Sequence, residues 1–318
     1  MGKFASDVEA ADALATAYKS LKEEIGKVVI GQHDVIRLVL TGIFCHGHSL
    51  LVGVPGLAKT LLVQTIAQAL DLQFKRIQFT PDLMPSDILG AETMDKERNF
   101  KFVKGPVFAN IILADEINRT PPKTQAALLE AMQEYAVTTA GQRFELPRPF
   151  FVLATQNPIE QEGTYPLPEA QLDRFMFNIL LTYPTPAEEM EVVKATTGEV
   201  KSEVGTVLSG EDIENFQNLV RKVPVPDNVI EYAVNLANRT RPGGSPVATE
   251  YLEWGAGPRA SQYLVLGAKC NALLDGKYSP DIEDVQSIAK PVLRHRIVRN
   301  FKAEAEGIGV DDVIEKII

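Results

Sequence analysis

An α/β domain, a parallel sheet flanked by helices, followed by a smaller all-helical domain is the fold these 318 residues predict. Three observations carry it. Short apolar runs alternate with helical periodicity as far as Thr182, the pattern of strands linked by crossover helices. A glycine-rich turn, Gly53–Ala58, joins one such run to a helix. After Tyr183-Pro184-Thr185-Pro186 the strand patterns stop and helical ones take over.

Residues 8–25 form the first predicted helix, with Val8, Ala11, Leu14, Ala15, Tyr18, Leu21 and Ile25 at helical spacing. A second runs from Asp34 to Phe44. Ser49–Val52 is a buried strand, Lys59–Leu70 a helix, and Phe74–Phe79 an alternating strand. Val107–Ala114 is an apolar run ending in Asp115-Glu116, Pro122–Glu134 is helical, and Phe150–Thr155 and Met176–Thr182 are further strands. Two polar stretches, residues 90–105 and 136–147, have hairpin character around Lys96–Asn99 and Ala140–Gln142, and are expected to be insertions. The paired prolines divide the chain into residues 1–185 and 186–318. Helices are expected over 187–196, 211–221, 227–239, 259–274, 281–290 and 292–300.

Hydrophobic residues make up 45% and charged residues 23% of the chain, which excludes a disordered chain, a collagen and a long coiled coil. The net charge is −10 and the sequence pI about 5.1, which argues against sequence-independent nucleic-acid binding. Only Cys45 and Cys270 are present, so a disulfide scaffold and a CxxC metal site are excluded and a cytoplasmic location is expected. No apolar run reaches the roughly 20 residues of a membrane span, and MGKFASDVEA has no apolar h-region, so a secretory signal is not expected. Gly2 and Ser6 match a myristoylation pattern too short to distinguish from chance. Cys45-His-Gly-His48 lacks a fourth metal ligand and reads as a helix-to-strand junction.

The chemistry concentrates at strand ends. Gly53-Val54-Pro55-Gly56-Leu57-Ala58-Lys59-Thr60-Leu61 follows a strand and opens a helix, so backbone N–H groups and the helix N-terminus point at one place, a cradle for polyphosphate. Lys59 would reach the outer phosphates and Thr60 a Mg²⁺ ion. Ala58 stands where glycine is usual; it costs about 1 kcal/mol if its φ is positive and nothing if it is helical. Asp115 and Glu116 sit at the C-terminal end of a buried strand, where ligands bind in doubly wound sheets. Asp115 is placed to hold Mg²⁺ and Glu116 to polarise the attacking water. Phe150–Pro158 ends a third strand in Asn157, which is either a contact to water or γ-phosphate or an ordinary turn starter. Arg294-His-Arg296 with Arg299 is a basic cluster, either a solvated helix end or a contact to nucleotide or a neighbouring subunit.

Together, Val29-Ile-Gly-Gln32, Gly53–Thr60, Ala114-Asp-Glu-Ile-Asn-Arg119, Gln125–Glu134, Ala154-Thr-Gln-Asn-Pro158, Tyr165–Phe175 and Gly257-Pro-Arg259-Ala-Ser261 resemble, in order and spacing over residues 25–300, the MoxR family of AAA+ ATPases. The family also tolerates alanine at the position of Ala58. The resemblance implies ATP and Mg²⁺ as cofactors, with Ile30, Gly31 and Gln32 lining an adenine pocket between the domains. It implies Asn157 as a sensor residue, Arg174 as the arginine finger reaching a neighbour's γ-phosphate, and Arg259 as a second sensor, acting in its own subunit or across an interface. Arg119, close to the two acids, is the competing finger. Residues 90–105 would be the insert that marks this clade. Their alternation of Phe100 and Phe102 with Lys101, and a charged tip at Asp95–Arg98, read as a client- or partner-facing ribbon, the alternative being a solvated loop with no task.

The function this implies is Mg²⁺-dependent ATP hydrolysis in a homo-oligomeric ring, a hexamer, coupled to chaperone-like remodelling or activation of protein clients, with a von Willebrand factor A domain protein as partner. A DNA-acting AAA+ motor or loader is the alternative; the acidic pI and the lack of a recognisable DNA-binding domain count against it. A small-molecule kinase leaves Arg174 and Arg259 without a task, and a non-hydrolysing switch does not need Glu116.

Overall fold

A computed structural model describes residues 4–94, 98, 100–139, 141–160, 162–198 and 203–318. Gly2, the tip residues Asp95, Lys96, Glu97 and Asn99, and Ala140 lie outside the described residues. The strands are β1 (Ser49–Val52), β2 (Phe74–Gln78), β3 (Gly90–Met94), β4 (Phe100–Lys104), β5 (Ile111–Asp115), β6 (Ala136–Thr139), β7 (Gln142–Glu145), β8 (Phe151–Gln156), β9 (Phe177–Leu180), β10 (Leu252–Trp254) and β11 (Val298–Arg299). Helices α1 (Asp7–Gly26), α2 (His33–Phe44), α3 (Lys59–Ala69), α4 (Pro85–Leu89), α5 (Pro122–Glu134) and α6 (Glu169–Leu172) surround the sheet. After β9 come α7 (Pro186–Thr197), α8 (Gly210–Lys222), α9 (Asp227–Arg239), α10 (Pro246–Tyr251), α11 (Pro258–Leu274), α12 (Ile282–Leu293), α13 (Phe301–Ala305) and α14 (Val310–Ile317).

Five strands pair in the order β2-β5-β8-β1-β9, all parallel. Successive side chains of a strand point to opposite faces, and here both faces are covered. Ile111 and Leu113 of β5 join one core cluster with α1, α2 and α3, whereas Ile112 and Ala114 join the other with α5. That is why β5 and β8 read as unbroken apolar runs rather than as alternating ones. Because the sheet is parallel, every strand delivers its C-terminal end to the same edge, where the glycine-rich turn, Asp115-Glu116 and Asn157 all lie.

Both polar insertions are antiparallel hairpins, β3–β4 with Met94 opposite Phe100 and β6–β7 with Thr139 opposite Gln142. The stacked rings of Phe102 and Phe144, 4.4 Å apart, join one hairpin to the other. Phe100 and Met94 remain 72% and 58% exposed.

Three expectations are corrected. Residues 107–110 are not strand: the Val107 amide turns back to Ile88 O, and pairing starts at Ile111. Residues 292–300 are not a helix: α12 ends at Leu293, and Val298–Arg299 runs extended against Leu252–Trp254. Strands therefore do not stop at residue 184; this small two-stranded ribbon lies among the C-terminal helices. Its existence depends on a partner about 45 residues earlier, which no local periodicity records.

Candidate active site

Gly53 leaves β1 packed so closely on Leu181 that an added Cβ would stand 2.9 Å from the Leu181 Cβ. Gly56 adopts φ +88° and Ala58 φ +52°, which turns the chain into α3. Ala58 is therefore in the left-handed region, the costly alternative of the two foreseen, at about 1–2 kcal/mol. Pro55, Gly56 and Ala58 are exposed, Val54 is half-buried, Leu57 is buried and Leu61 is 42% exposed. No side chain caps α3, so its first N–H groups face the loop without a partner from an N-cap. The Lys59 ammonium donates to Gly53 O and makes no carboxylate pair among the described residues. Burial holds its pKa below the ordinary lysine value, against the pull of Asp115 and Glu116. A partly buried cation, a hydroxyl at Thr60 and an uncapped helix start fit a polyphosphate and its metal.

The acids are fixed by their strand neighbours. The Thr155 hydroxyl donates to Asp115 Oδ1 at 2.6 Å and accepts from the Glu116 amide at 2.8 Å. Arg76, from β2, donates Nη2 to Asp115 Oδ2 at 2.6 Å. Glu116, at φ +58°, accepts from Gln78 Nε2 at 3.0 Å. Arg119 pairs with Glu160 at 2.8 Å and lies 3.6 Å from Glu116, so it belongs to this same edge. Asn157 is buried, and its Oδ1 accepts from the Ile159 amide at 3.1 Å, the turn geometry foreseen as one alternative. Ile30, Gly31 and Gln32 are half-buried, and Gly31, at φ +75°, takes the Glu188 side chain where a Cβ would be. The segment from Leu181 to Glu188 thus touches both the glycine loop and Gly31.

Arg174 and Arg259 lie elsewhere. Ser49 pairs with Phe177 and Val52 with Leu180, so Arg174, three residues before Phe177, stands at the N-terminal edge of the sheet. At roughly 3.3 Å per residue this is about 15–20 Å from the level of Gly53. Arg259 joins Arg174 there, since both line one cavity with His48 and Tyr263. The structure brings Lys59, Thr60, Asp115, Glu116 and Asn157 to one edge and the two arginines to the other. Arg259 pairs with Asp173 Oδ2 at 3.1 Å, and Arg296 with Asp173 Oδ1 at 2.8 Å. The Arg174 guanidinium makes no ion pair among the described residues.

The basic cluster is neither a solvated helix end nor a free contact surface. The Arg296 side chain is 1% exposed, donates to Asp173 O and Phe175 O and lies over the Tyr263 ring. Arg294 grips Asp311 with two hydrogen bonds and donates to Asn178 O. His295 is buried with its Nε2 on Phe175 O, and Arg299 donates to Ile308 O. These residues strap the C-terminal helices to β9. His48 is likewise structural: its Nδ1 accepts from the Val152 amide and its Nε2 donates to Met132 O. No group of metal-ligating side chains occurs there or elsewhere among the described residues.

Sequence reasoning assigned nothing to Arg76, Gln78 or Thr155. The one available signal was that Arg76 and Gln78 fall two apart on an alternating strand; that they face Asp115 and Glu116 follows from β2 pairing with β5.

Residues 48–177 match the family model described as ATPase family associated with various cellular activities (AAA), and residues 246–317 match the AAA lid domain. The chain is 41% identical over 315 residues to the Mycobacterium tuberculosis protein named chaperone MoxR1, covering 97% of this chain and 83% of that protein. It is 42% identical over 298 residues to Bacillus subtilis YeaC, which has no assigned function, covering 93% and 91%. A solved structure of a candidate ATPase from Cytophaga hutchinsonii superposes with a TM-score of 0.91 at 45% identity, covering 97% and 95%. The chain belongs to the MoxR family of AAA ATPases. The AAA match spans the glycine loop, both acids, Asn157 and Arg174; the lid match contains Arg259 and the residues that strap α12 to the sheet. In this nucleotide-binding MoxR-family ATPase, Arg174 and Arg259 thus lie on the sheet edge away from the glycine loop of their own subunit. No helix among the described residues is long and apolar enough to cross a membrane.

Proposed function

We propose that this MoxR-family protein hydrolyses Mg²⁺-ATP at composite sites in a closed ring of six subunits, and that turnover remodels or activates protein clients. The observation that carries the reading is the separation of Arg174 from Lys59 at opposite sheet edges: one subunit's arginine serves the next subunit's nucleotide. Lys59 and the amides of Gly53–Leu61 hold the phosphates, and Ile30–Gln32 take the adenine. Thr60 and Asp115 hold Mg²⁺, which when bound neutralises charge on the phosphate oxygens. Glu116, steadied by Gln78 and Thr155, orients the attacking water and accepts its proton. Asn157 positions that water, and a neighbour's Arg174 and Arg259 meet the charge that develops on the outer phosphate. The name chaperone on a 41% identical relative supports protein clients, and the family resemblance supports a von Willebrand factor A domain partner. The exposed Phe100 and Met94 of the first hairpin suit it to contact a client. Two free, buried cysteines fit the cytoplasm.

The test is ATPase rate per subunit against protein concentration, with Glu116→Gln alongside. The rate rises as subunits assemble, and Glu116→Gln binds ATP while turning over at least about a hundredfold more slowly. A concentration-independent rate from a proven monomer overturns the composite site.

A further inference from the structure

The edge that carries Arg174 also holds two cations, Arg221 and Lys269, that make no ion pair among the described residues, beside Arg259, which pairs with Asp173. A cleft of about 630 Å³ between α8, α9 and α11 is lined by Arg221, Lys269 and Arg259, with Ile230, Val234 and Tyr263, and no carboxylate is among its lining residues. Among the described residues Lys269 donates only to Arg221 O, at 2.9 Å, and burial, then the charge of Arg221, lowers its pKa. Arg221 makes no ion pair among the described residues. Ile230 and Val234, one turn apart on α9, are each 40% exposed. This is unusual placement for a chain whose net charge is −10. Arg259 and Tyr263 also line the Arg174 cavity, so the cleft is continuous with the proposed composite site.

A complementary surface stands at the other edge. Helix α7 buries none of its side chains. Met190 and Val193, at i and i+3, are 60% and 53% exposed, and Glu189 and Glu191 flank them, exposed. The helix is anchored at its start, where Glu188 caps through Thr185 and presses on Gly31, so α7 rises beside the nucleotide edge.

We propose that α7 of one subunit docks in the α8–α9–α11 cleft of the next, Met190 and Val193 against Ile230 and Val234, Glu189 and Glu191 against Arg221 and Lys269. The occupant is a second copy of this chain because both the apolar pairs and the charges complement each other. The two surfaces also lie at opposite edges of one sheet, as a head-to-tail contact requires. The contact rests on the ring reading and deepens it: it sets the register that brings Arg174 over the neighbour's phosphates.

Sedimentation velocity in Mg²⁺-ATP tests this with Arg221→Glu/Lys269→Glu and Glu189→Lys/Glu191→Lys. Each double variant alone assembles about a hundredfold more weakly than wild type, while ATP binding by the isolated subunit is unchanged. Mixed in equal amounts the two reassemble, since each variant's α7 then meets a cleft of opposite charge. Wild-type-like assembly of either variant alone, or a mixture of folded variants that stays dissociated, overturns the docking and leaves the ring standing. Wild-type protein that stays monomeric with ATP at every concentration overturns both.

Discussion

Asp173 holds the lid strap and the arginine edge together, and Asp173→Asn isolates that duty. Its carboxylate bridges Arg259 on one oxygen and the nearly inaccessible Arg296 on the other. Removing one partner of a buried ion pair costs about 3–5 kcal/mol because the other charge is left uncompensated. Two features lower the figure here. The Asp173 side chain is 32% exposed, and Arg296 keeps carbonyl acceptors at Asp173, Phe175, Met176 and Val292. About 2 kcal/mol remains as the expected loss. At about 2.1 cal/mol/K per residue, the entropy of unfolding is about 0.7 kcal/mol/K for this chain, so Tm falls by about 3 °C. Differential scanning fluorimetry of wild type, Asp173→Asn and Lys222→Ala reads this directly. Lys222 pairs with Asp7 at 3.1 Å, but both side chains are more than 60% exposed, so its loss leaves Tm unmoved within error. An Asp173→Asn variant as stable as wild type refutes the strap.

Further outcomes follow from single contacts. Burial lowers the His48 pKa from 6.5 to about 4, because both ring nitrogens are engaged and a second proton has no acceptor. The folded value lies below the unfolded one, so this stability is complete above about pH 6.5 and is lost as pH falls toward 4, about 2 kcal/mol by pH 5. Urea unfolding at pH 7.5 and 5 shows the drop, reduced by that amount in His48→Gln. Ala58→Gly relieves the left-handed alanine and, after the greater entropy of unfolded glycine, raises stability by about 0.5–1 kcal/mol with nucleotide affinity retained; calorimetry and a binding titration check both. Thr155→Val unties Asp115 from Glu116 and lowers kcat about tenfold to a hundredfold with nucleotide affinity little changed, a split that single-turnover kinetics resolves.

How much of this was legible in the sequence depends on how far each feature reaches along the chain. Ser49–Val52, Lys59 at the start of α3 and Pro122–Glu134 are local patterns and lie where periodicity puts them. So do the acids, because Asp115 ends an unbroken apolar strand. Strand order is not local. Only with β2 beside β5 does Arg76 meet Asp115 and Gln78 meet Glu116. Only with β8 on the other side does Thr155 bridge the two acids. Arg294–Arg296 reads as a basic cluster, a solvated helix end or a contact surface, because its acceptors, Asp173, Phe175 O and Asp311, are distant in sequence or carry no charge. Ala58 is the opposite case: the sequence admits a costly and a harmless backbone there, and φ +52° selects the costly one.

The most direct test of a site shared between subunits is a mixing experiment with Arg174→Ala and Lys59→Ala. Alone, each is inactive: one lacks the arginine at every interface, the other the phosphate-binding lysine. In an equal, random mixture about one quarter of head-to-tail interfaces pair an intact Lys59 with an intact Arg174. The account therefore predicts recovery toward about a quarter of the wild-type rate per subunit. No recovery in a mixture shown to co-assemble, or Arg174→Ala protein that hydrolyses ATP at the wild-type rate alone, contradicts it.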